Sequence, residues 1–314
     1  MIFLNSVLLV IAAVVFLIIA FVYLAPGVVT QFALNAERSR SGLVRKEIDL
    51  PNGLHYAYLE AGQGEPLMLL HGFGGNKDTF TRVSRFLKKH YRIIIPDIIG
   101  FGESAHPSQA DYAPPAQVER LRALSQALGV ENLHLGGNSM GAQIAMAYSA
   151  LYPTEVKSLW LLSPAGVWSA PKSDVLKVIT ETGHNPLVAR NVGEFKQVMA
   201  LGMRKSPYIP KPMLSVLAQE RIQNATLEER IFQQLLDYPV EKQVSGMETP
   251  TLIIFGDQDR VILAETAKVL GKLLRNSQTI IMHDVGHVSM FEKPRQCAKD
   301  YLAFREATQN DKTA

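Results

Sequence analysis

The sequence predicts an α/β fold: a mostly parallel central sheet with helices on both faces, a helical insertion, and one membrane-spanning helix at the start. Short apolar runs alternate with amphipathic stretches, which is the pattern of βαβ units. That alternation stops between residues 167 and 247, where prolines separate helical stretches and no strand pattern occurs. Val7–Leu24 is an unbroken run of 18 apolar residues. The 314 residues, 47% of them apolar, are enough for one large domain with an insertion.

The N-terminal apolar run has the length of a membrane anchor. At ~1.5 Å per residue, Val7–Leu24 nearly crosses a hydrocarbon core. It exceeds the apolar region of a signal peptide, and no charged residue occurs before Glu37. We therefore expect an uncleaved anchor over residues 1–30, with a cleaved signal peptide as the alternative.

Basic residues follow the apolar run and none precedes it. They are Arg38, Arg40, Arg45 and Lys46. The positive-inside rule then predicts that the rest of the chain lies on the cytoplasmic side. Residues 31–42 are predicted to form a polar linker or a short amphipathic helix at the membrane surface.

The remaining elements are predicted from hydrophobic periodicity. Strands are expected at 43–50, 54–61, 67–70, 92–96, 133–136, 156–162, 249–255 and 279–282. Helices are expected at 76–89, 116–128, 140–151, from 263 onward, and at 294–307. Pro51-Asn52-Gly53 predicts a hairpin between the first two strands. The core then comprises residues 43–166 and 248–314, and residues 167–247 form a helical cap.

A candidate nucleophile lies where a predicted strand meets a helix. The segment Gly137-Asn138-Ser139-Met140-Gly141 is Gly-x-Ser-x-Gly in a strand–turn–helix context. Glycines allow the close backbone approach that such a turn needs. The turn would expose the Ser139 hydroxyl and place the Met140 N–H at a helix N-terminus, where it could bind an oxyanion.

A serine nucleophile needs a base, and the base needs an acid that holds its tautomer. Downstream, the chain offers Asp257 or Asp259 after one predicted strand and His283 or His287 after the next. These positions lie at the carboxyl ends of strands, where open α/β sheets bind ligands.

A glycine-rich loop follows another central strand. His71-Gly72-Phe73-Gly74-Gly75 can expose backbone N–H groups to a bound oxygen, with Phe73 as the donor. His71 could be read as a base. We interpret it instead as a residue that fixes the loop by hydrogen bonding.

From residue 43 onward the chain resembles the α/β-hydrolases. The resemblance rests on five segments: His71-Gly-Phe-Gly-Gly, Pro96-Asp-Ile-Ile-Gly-Phe-Gly-Glu-Ser, Gly137-Asn-Ser-Met-Gly, Gly256-Asp-Gln-Asp and Val285-Gly-His. Within that family the chain is most similar to membrane-anchored lipases of the monoacylglycerol-lipase type and to bacterial cold-active lipases. This narrower similarity rests on three segments: His71-Gly-Phe-Gly-Gly-Asn-Lys-Asp, Lys157-Ser-Leu-Trp-Leu and Gln219-Glu-Arg-Ile. Ala142 departs from the pattern, because such lipases often have a second glycine there.

The resemblance implies a serine ester hydrolase that cleaves acylglycerols, with monoacylglycerols as the expected substrates. The family pattern favours Asp259 over Asp257 and His287 over His283 as partners of Ser139. It also implies an oxyanion hole built from the backbone N–H groups of Phe73 and Met140, a lipid or acyl ester substrate, and no cofactor or metal.

Other function classes are less well supported. A net charge of +3 gives no case for nucleic acid, and the single cysteine, Cys297, rules out an internal disulfide. The sequence has no His-Glu-x-x-His or Walker loop. Two alternatives remain: a carbon–carbon bond hydrolase of the meta-cleavage type, and a non-catalytic binding protein with the same fold.

Overall fold

In the computed structural model, which describes residues 2–310, eight strands form one sheet in the order β1-β2-β4-β3-β5-β6-β7-β8. The strands are β1 (Val44–Asp49), β2 (His55–Ala61), β3 (Glu65–Leu70), β4 (Tyr91–Pro96), β5 (Leu133–Asn138), β6 (Val156–Leu162), β7 (Thr251–Gly256) and β8 (Ser277–Met282). β2 is antiparallel to both neighbours, and the other neighbouring pairs are parallel. The predicted fold class is confirmed.

Thirteen α-helices occur in the described part of the chain. The first five are α1 (Ile2–Leu24), α2 (Pro26–Ser41), α3 (Thr81–Leu87, after a 3-10 turn at Lys77–Phe80), α4 (Pro114–Ala127) and α5 (Met140–Leu151). The segment between β6 and β7 holds α6 (Asp174–Thr182), α7 (Val192–Gly202), α8 (Lys211–Gln223), α9 (Ala225–Leu236) and α10 (Glu241–Val244). The last three are α11 (Thr266–Leu273), α12 (Ser289–Glu292) and α13 (Pro294–Asn310). We refer to α6–α10 as the cap helices.

Each face of the sheet carries its own hydrophobic core. One core joins alternate strand residues to α4, α5 and α11, as Leu135, Ile144 and Leu270 show. The other joins the opposite strand residues to α3 and α13, where Trp160 stacks on Tyr301 at 4.5 Å. Because successive strand side chains point to opposite faces, the central strands contribute apolar residues to both cores.

The N-terminal residues form two helices. α1 contains a segment, Asn5–Leu24, of 20 residues with a mean hydropathy of 3.3, long and apolar enough to cross a membrane. The stretch that we predicted as a linker or a short amphipathic helix is part of α2, which begins at Pro26. In α2, Arg38 is buried and forms a two-pronged ion pair with Asp78, at 2.7 and 2.6 Å. This pair joins α2 to the 3-10 turn that precedes α3.

Cys297 lies in α13 and is buried. Burial raises the pKa of its thiol to about 12, so the thiol stays protonated at neutral pH. It is therefore an unreactive core residue.

Candidate active site

Ser139 occupies a sharp turn between β5 and α5. Its backbone has φ 54° and ψ −116°, a conformation that a non-glycine residue adopts only at a cost of ~1–3 kcal/mol. A Cβ on Gly137 would lie 2.3 Å from the carbonyl carbon of Gly141, and a Cβ on Gly141 would lie 2.1 Å from the Leu70 carbonyl oxygen. Both glycines of the motif are thus required by backbone packing.

His287 and Asp259 meet at the same edge of the sheet. The Nδ1 atom of His287 lies 2.8 Å from Oδ2 of Asp259. The other carboxylate oxygen of Asp259 accepts the N–H groups of Val261 and Ile262 at 2.9 and 3.0 Å. Because an ionised carboxylate only accepts hydrogen bonds, the proton of a neutral His287 is held on Nδ1 and Nε2 has a free lone pair.

The three candidate residues are close to fully enclosed. Ser139, His287 and Asp259 are 9%, 7% and 6% exposed. Ser139 and His287 line one cavity. This arrangement places the serine and an imidazole oriented by Asp259 in the wall of the same cavity.

Asn138 links the nucleophile turn to the histidine loop. Its side-chain amide donates to the carbonyl oxygens of Leu162 and His287, at 3.1 and 3.0 Å. Sequence reasoning missed this role, because a variable position within Gly-x-Ser-x-Gly carries no signal for a partner 149 residues away.

Asp257 and His283, the alternative candidates for the acid and the base, pair with each other. Nδ1 of His283 lies 2.6 Å from a carboxylate oxygen of Asp257, and the His283 side chain is 91% exposed. Asp257 also accepts the Asp284 N–H at 2.8 Å. Asp257 thus joins the loop after β7 to the loop after β8. Neither residue lines the cavity at Ser139.

The loop after β3 lies against the nucleophile turn. A Cβ on Gly72 would be 3.3 Å from the Ser139 Cβ and 2.9 Å from the side-chain oxygen of Asn138. Among the described residues, the N–H groups of Phe73 and Met140 donate to no protein acceptor. Both are therefore available to a bound oxygen at this edge of the sheet.

His71 fixes this loop and takes no part in the cavity lining. It is fully buried, its Nε2 accepts the Ile98 N–H at 3.0 Å, and its Nδ1 lies 2.8 Å from the Gly72 carbonyl oxygen. Burial lowers the pKa of His71, so it stays neutral with the proton on Nδ1. The interpretation of His71 as a loop-fixing residue is confirmed.

A buried ion pair supports the same loop. The Lys77 backbone N–H and Nζ bind the two carboxylate oxygens of Asp97 at 2.6 and 2.7 Å, and the side chains are 2% and 0% exposed. The fully buried lysine was not foreseen from the sequence, where Lys77 resembles any surface residue at the start of the predicted helix 76–89.

The cavity over Ser139 has a volume of about 510 Å³ and a mainly apolar wall. The cap contributes Leu187, Phe195, Val198, Met199, Met203, Pro207, Ile209, Met213 and Leu217. Part of the apolar insertion therefore lines the cavity over Ser139. Helix α2 contributes Thr30, Ala33, Leu34 and Glu37. The segment expected to be a linker is thus a wall of the candidate site.

A second cavity lies at the opposite edge of the sheet. It has a volume of about 590 Å³ and is lined by residues such as Pro153, Lys157 and Thr249. It contains none of the candidate catalytic residues.

Within residues 2–310, His, Cys, Asp and Glu side chains form no group of three or more that would hold a metal ion.

Comparison with known proteins gives a consistent result. A family profile described as alpha/beta hydrolase fold matches residues 65–294. The chain is 45% identical over 282 residues to Lipase 1 of Psychrobacter immobilis, covering 88% of each chain. It is 30% identical over 278 residues to Monoacylglycerol lipase abhd6-B of Xenopus laevis, covering 82% of each. The crystal structure of a membrane phospholipase A, described as a bacterial virulence factor, superposes with a TM-score of 0.87 at 35% identity over 98% of this chain and 99% of that one.

Proposed function

The chain belongs to the α/β-hydrolase family and is an ester hydrolase of the lipase/esterase kind, and from this premise we propose that it cleaves monoacylglycerols through Ser139, His287 and Asp259. The observation that carries the proposal is the 2.8 Å contact of His287 with Asp259, together with a serine held at φ 54° in the wall of the cavity that His287 also lines. Both Ser139 and His287 open into one apolar cavity.

The reaction begins with proton transfer to His287. Nε2 of His287 takes the Ser139 hydroxyl proton while Oγ attacks the ester carbonyl carbon. The tetrahedral intermediate collapses when His287 returns that proton to the glycerol oxygen, which leaves as an alcohol. Water then attacks the acyl-enzyme with His287 again as base, and the fatty acid is released with Ser139 restored.

Asp259 acts through the histidine. It holds the proton of His287 on Nδ1 and stabilises the imidazolium that forms during each attack. Its second oxygen is held by the N–H groups of Val261 and Ile262. The carboxylate is therefore fixed before the reaction starts.

The developing oxyanion is bound by the N–H groups of Phe73 and Met140. They lie on the loop after β3 and at the first turn of α5, on two sides of Ser139. Donors that are already in place stabilise the charge without reorganisation, and one such donor contributes ~10²–10³ in kcat.

The acyl chain lies in the cavity formed by α2, α7 and α8. Its methionine and aliphatic lining suits a hydrocarbon chain, and each buried methylene contributes ~0.8 kcal/mol. Selectivity then rises with chain length until about 510 Å³ is filled. Monoacylglycerols fit this description, and the relative from Xenopus laevis is a monoacylglycerol lipase by name.

We also propose that α1 anchors the enzyme with its catalytic domain on the cytoplasmic side. The support is the apolar length of α1 and the basic residues that follow it. Protease treatment of right-side-out and inside-out vesicles tests the orientation, since only inside-out vesicles should lose the catalytic domain.

A substrate series tests the function. Wild-type enzyme in mixed micelles should hydrolyse medium- and long-chain monoacylglycerols with higher kcat/KM than acetyl esters, and Ser139→Ala should lower kcat by roughly 10⁴ or more while the circular-dichroism spectrum is unchanged. Efficient cleavage of vinylogous diketones with negligible acylglycerol hydrolysis would favour a carbon–carbon bond hydrolase. Activity of Ser139→Ala within tenfold of wild type would remove Ser139 from the mechanism.

A further inference from the structure

A cap arginine, Arg221 of α8, packs against the loop that carries Phe73 and also lines the cavity over Ser139. Gly74 has φ 64°, and a Cβ at that position would lie 2.0 Å from Cζ of Arg221 and 2.3 Å from both of its terminal nitrogens. The guanidinium of Arg221, on α8, thus fills the volume where any other residue at position 74 would place its side chain. Backbone and guanidinium are in direct contact next to the candidate oxyanion donor.

The guanidinium itself is held rigidly. Its Nε and Nη2 bind the two carboxylate oxygens of Glu228 at 2.6 and 2.8 Å, and Nη2 also donates to the Leu187 carbonyl oxygen at 2.6 Å. Arg221 and Glu228 are 4% and 1% exposed. A planar, two-pronged pair of this kind fixes orientation as well as charge. It connects α8 to α9 within the cap.

The aromatic ring of Phe73 is held by the same part of the cap. Cζ of Arg221 lies 5.8 Å from the centre of the ring, and Phe232 of α9 contacts it edge-on at 5.1 Å. Phe101 makes a similar contact from the core at 5.7 Å. Within the described part of the chain the Phe73 N–H donates to no protein acceptor, so contacts of its ring and of the neighbouring Gly74 add to those of His71 in fixing its position.

We propose that Arg221, fixed by Glu228, is a positioning residue that holds the Phe73 N–H in place to bind the oxyanion. This rests on the proposed function, in which that N–H is one of two oxyanion donors. Oxyanion stabilisation then depends on how the cap packs on the core, because α8 and α9 supply the two members of the ion pair. In this proposal Arg221, which also lines the cavity over Ser139, acts on the oxyanion donor through its contacts with Gly74 and Phe73.

The expected cost of losing this contact follows from geometry. A misplacement of ~1 Å at a catalytic group lowers the rate by ~10²-fold in unfavourable cases. Removing Arg221 allows the Phe73 N–H to move from its position but does not remove this donor. The loss in kcat should therefore be ~10- to 100-fold, smaller than the ~10²–10³ that follows deletion of a donor.

The test compares Arg221→Met/Glu228→Gln with wild type. The double variant removes both members of the ion pair. A single substitution would instead leave the other charge buried without a partner. We expect kcat for a short-chain ester to fall ~10- to 100-fold with KM within about threefold. The rate ratio between the ester and its thionoester should also fall, because sulfur accepts hydrogen bonds weakly and this ratio reports oxyanion binding. A loss of stability alone would not change that ratio.

Two further variants complete the experiment. Arg190→Met removes an exposed arginine that pairs with Glu229 in the same cap, at 2.7 Å, and should leave the ratio and kcat unchanged. Gly74→Ala directs a Cβ at the guanidinium and should reproduce the double variant, so it serves where the double variant does not fold.

The outcomes separate the two proposals. An unchanged ester-to-thionoester ratio in both Arg221→Met/Glu228→Gln and Gly74→Ala, or a change confined to KM, overturns the positioning role. A wild-type enzyme with no preference for the ester over the thionoester, or a Ser139→Ala variant that keeps its activity, overturns the proposed function instead.

Discussion

At the scale of single residues, the assignment of the acid depends on which histidine each aspartate reaches. Asp257 and Asp259 are two residues apart, yet Asp257 pairs with exposed His283 and Asp259 with enclosed His287. Of these four residues, His287 lines the cavity with Ser139. A family pattern in the sequence could rank these residues, but it could not show that the rejected pair forms a contact of its own.

This difference predicts unequal effects of two matched substitutions. Asp259→Asn should lower kcat by ~10⁴, because an amide there favours the wrong tautomer of His287. Asp257→Asn should change kcat less than tenfold, because its partner His283 is remote from the nucleophile. Steady-state kinetics of both variants on one ester measures the contrast. A reversed order of severity would reassign the acid to Asp257.

At the scale of elements, α2 separates the membrane segment from the body of the enzyme. It begins at Pro26, packs through Arg38 on Asp78, and lines the cavity with residues such as Ala33 and Leu34. The boundary predicted at residue 30 would cut this helix in its first turns. We therefore place the end of the separable anchor at Leu24.

Two truncations test that boundary. Deletion of residues 2–24 should yield a protein that is soluble without detergent and still hydrolyses dispersed esters. Deletion of residues 2–41 also removes a cavity wall. If two methylenes of the acyl chain lose their contact with α2, at ~0.8 kcal/mol each, kcat/KM for long-chain esters should fall roughly tenfold. Equal activity of the two truncated proteins on long-chain substrates would show that α2 is no part of the acyl site.

The amino-terminal ends of the central strands carry a buried polar group. His134 of β5 contacts the Ser158 hydroxyl at 2.8 Å and Glu65 at 3.1 Å. Burial lowers the pKa of His134 to about 4, so it is neutral in the folded enzyme. Pairing with Lys157 lowers the pKa of Glu65 to about 2, which leaves Glu65 charged throughout the range in which His134 would titrate.

The lowered pKa of His134 predicts that the stability of the folded protein depends on pH. Between pH ~6.5 and pH 4 the unfolded chain binds a proton at His134 that the folded chain does not bind. Stability should therefore fall as pH decreases through that window, by up to about 2 kcal/mol at pH 5 from this group. Urea unfolding in detergent at pH 7.5 and 5.0 should show a smaller difference for His134→Gln than for wild type. Equal differences would show that His134 does not cause the acid sensitivity.

At the scale of the whole molecule, α1 and the cavity act together. The 20 residues of Asn5–Leu24 match the thickness of a hydrocarbon core at ~1.5 Å per residue. Because α2 follows α1 after one residue and lines the cavity, a membrane-spanning α1 would keep the proposed acyl site close to the bilayer. An enzyme that takes lipid esters from a membrane benefits from this short connection.

Anchoring predicts how the protein fractionates. The full chain should stay in the membrane pellet after washes with high salt and alkaline carbonate and should be released by detergent. The protein lacking residues 2–24 should appear in the soluble fraction in the same experiment. Recovery of a soluble chain that begins after Leu24 from cells expressing the full sequence would identify a cleaved signal peptide.

Local patterns in the sequence were enough to predict the sheet, the elbow at Ser139 and the apolar cap, because each depends on the spacing of neighbouring residues. The tertiary structure decided which side chains meet. It paired Asp257 with His283, buried Lys77 against Asp97, brought Asn138 to the His287 carbonyl and placed Arg221 behind Gly74. It also placed α2 in the wall of the site. Such contacts join residues far apart in the chain, and the packing of whole helices on the sheet determines them.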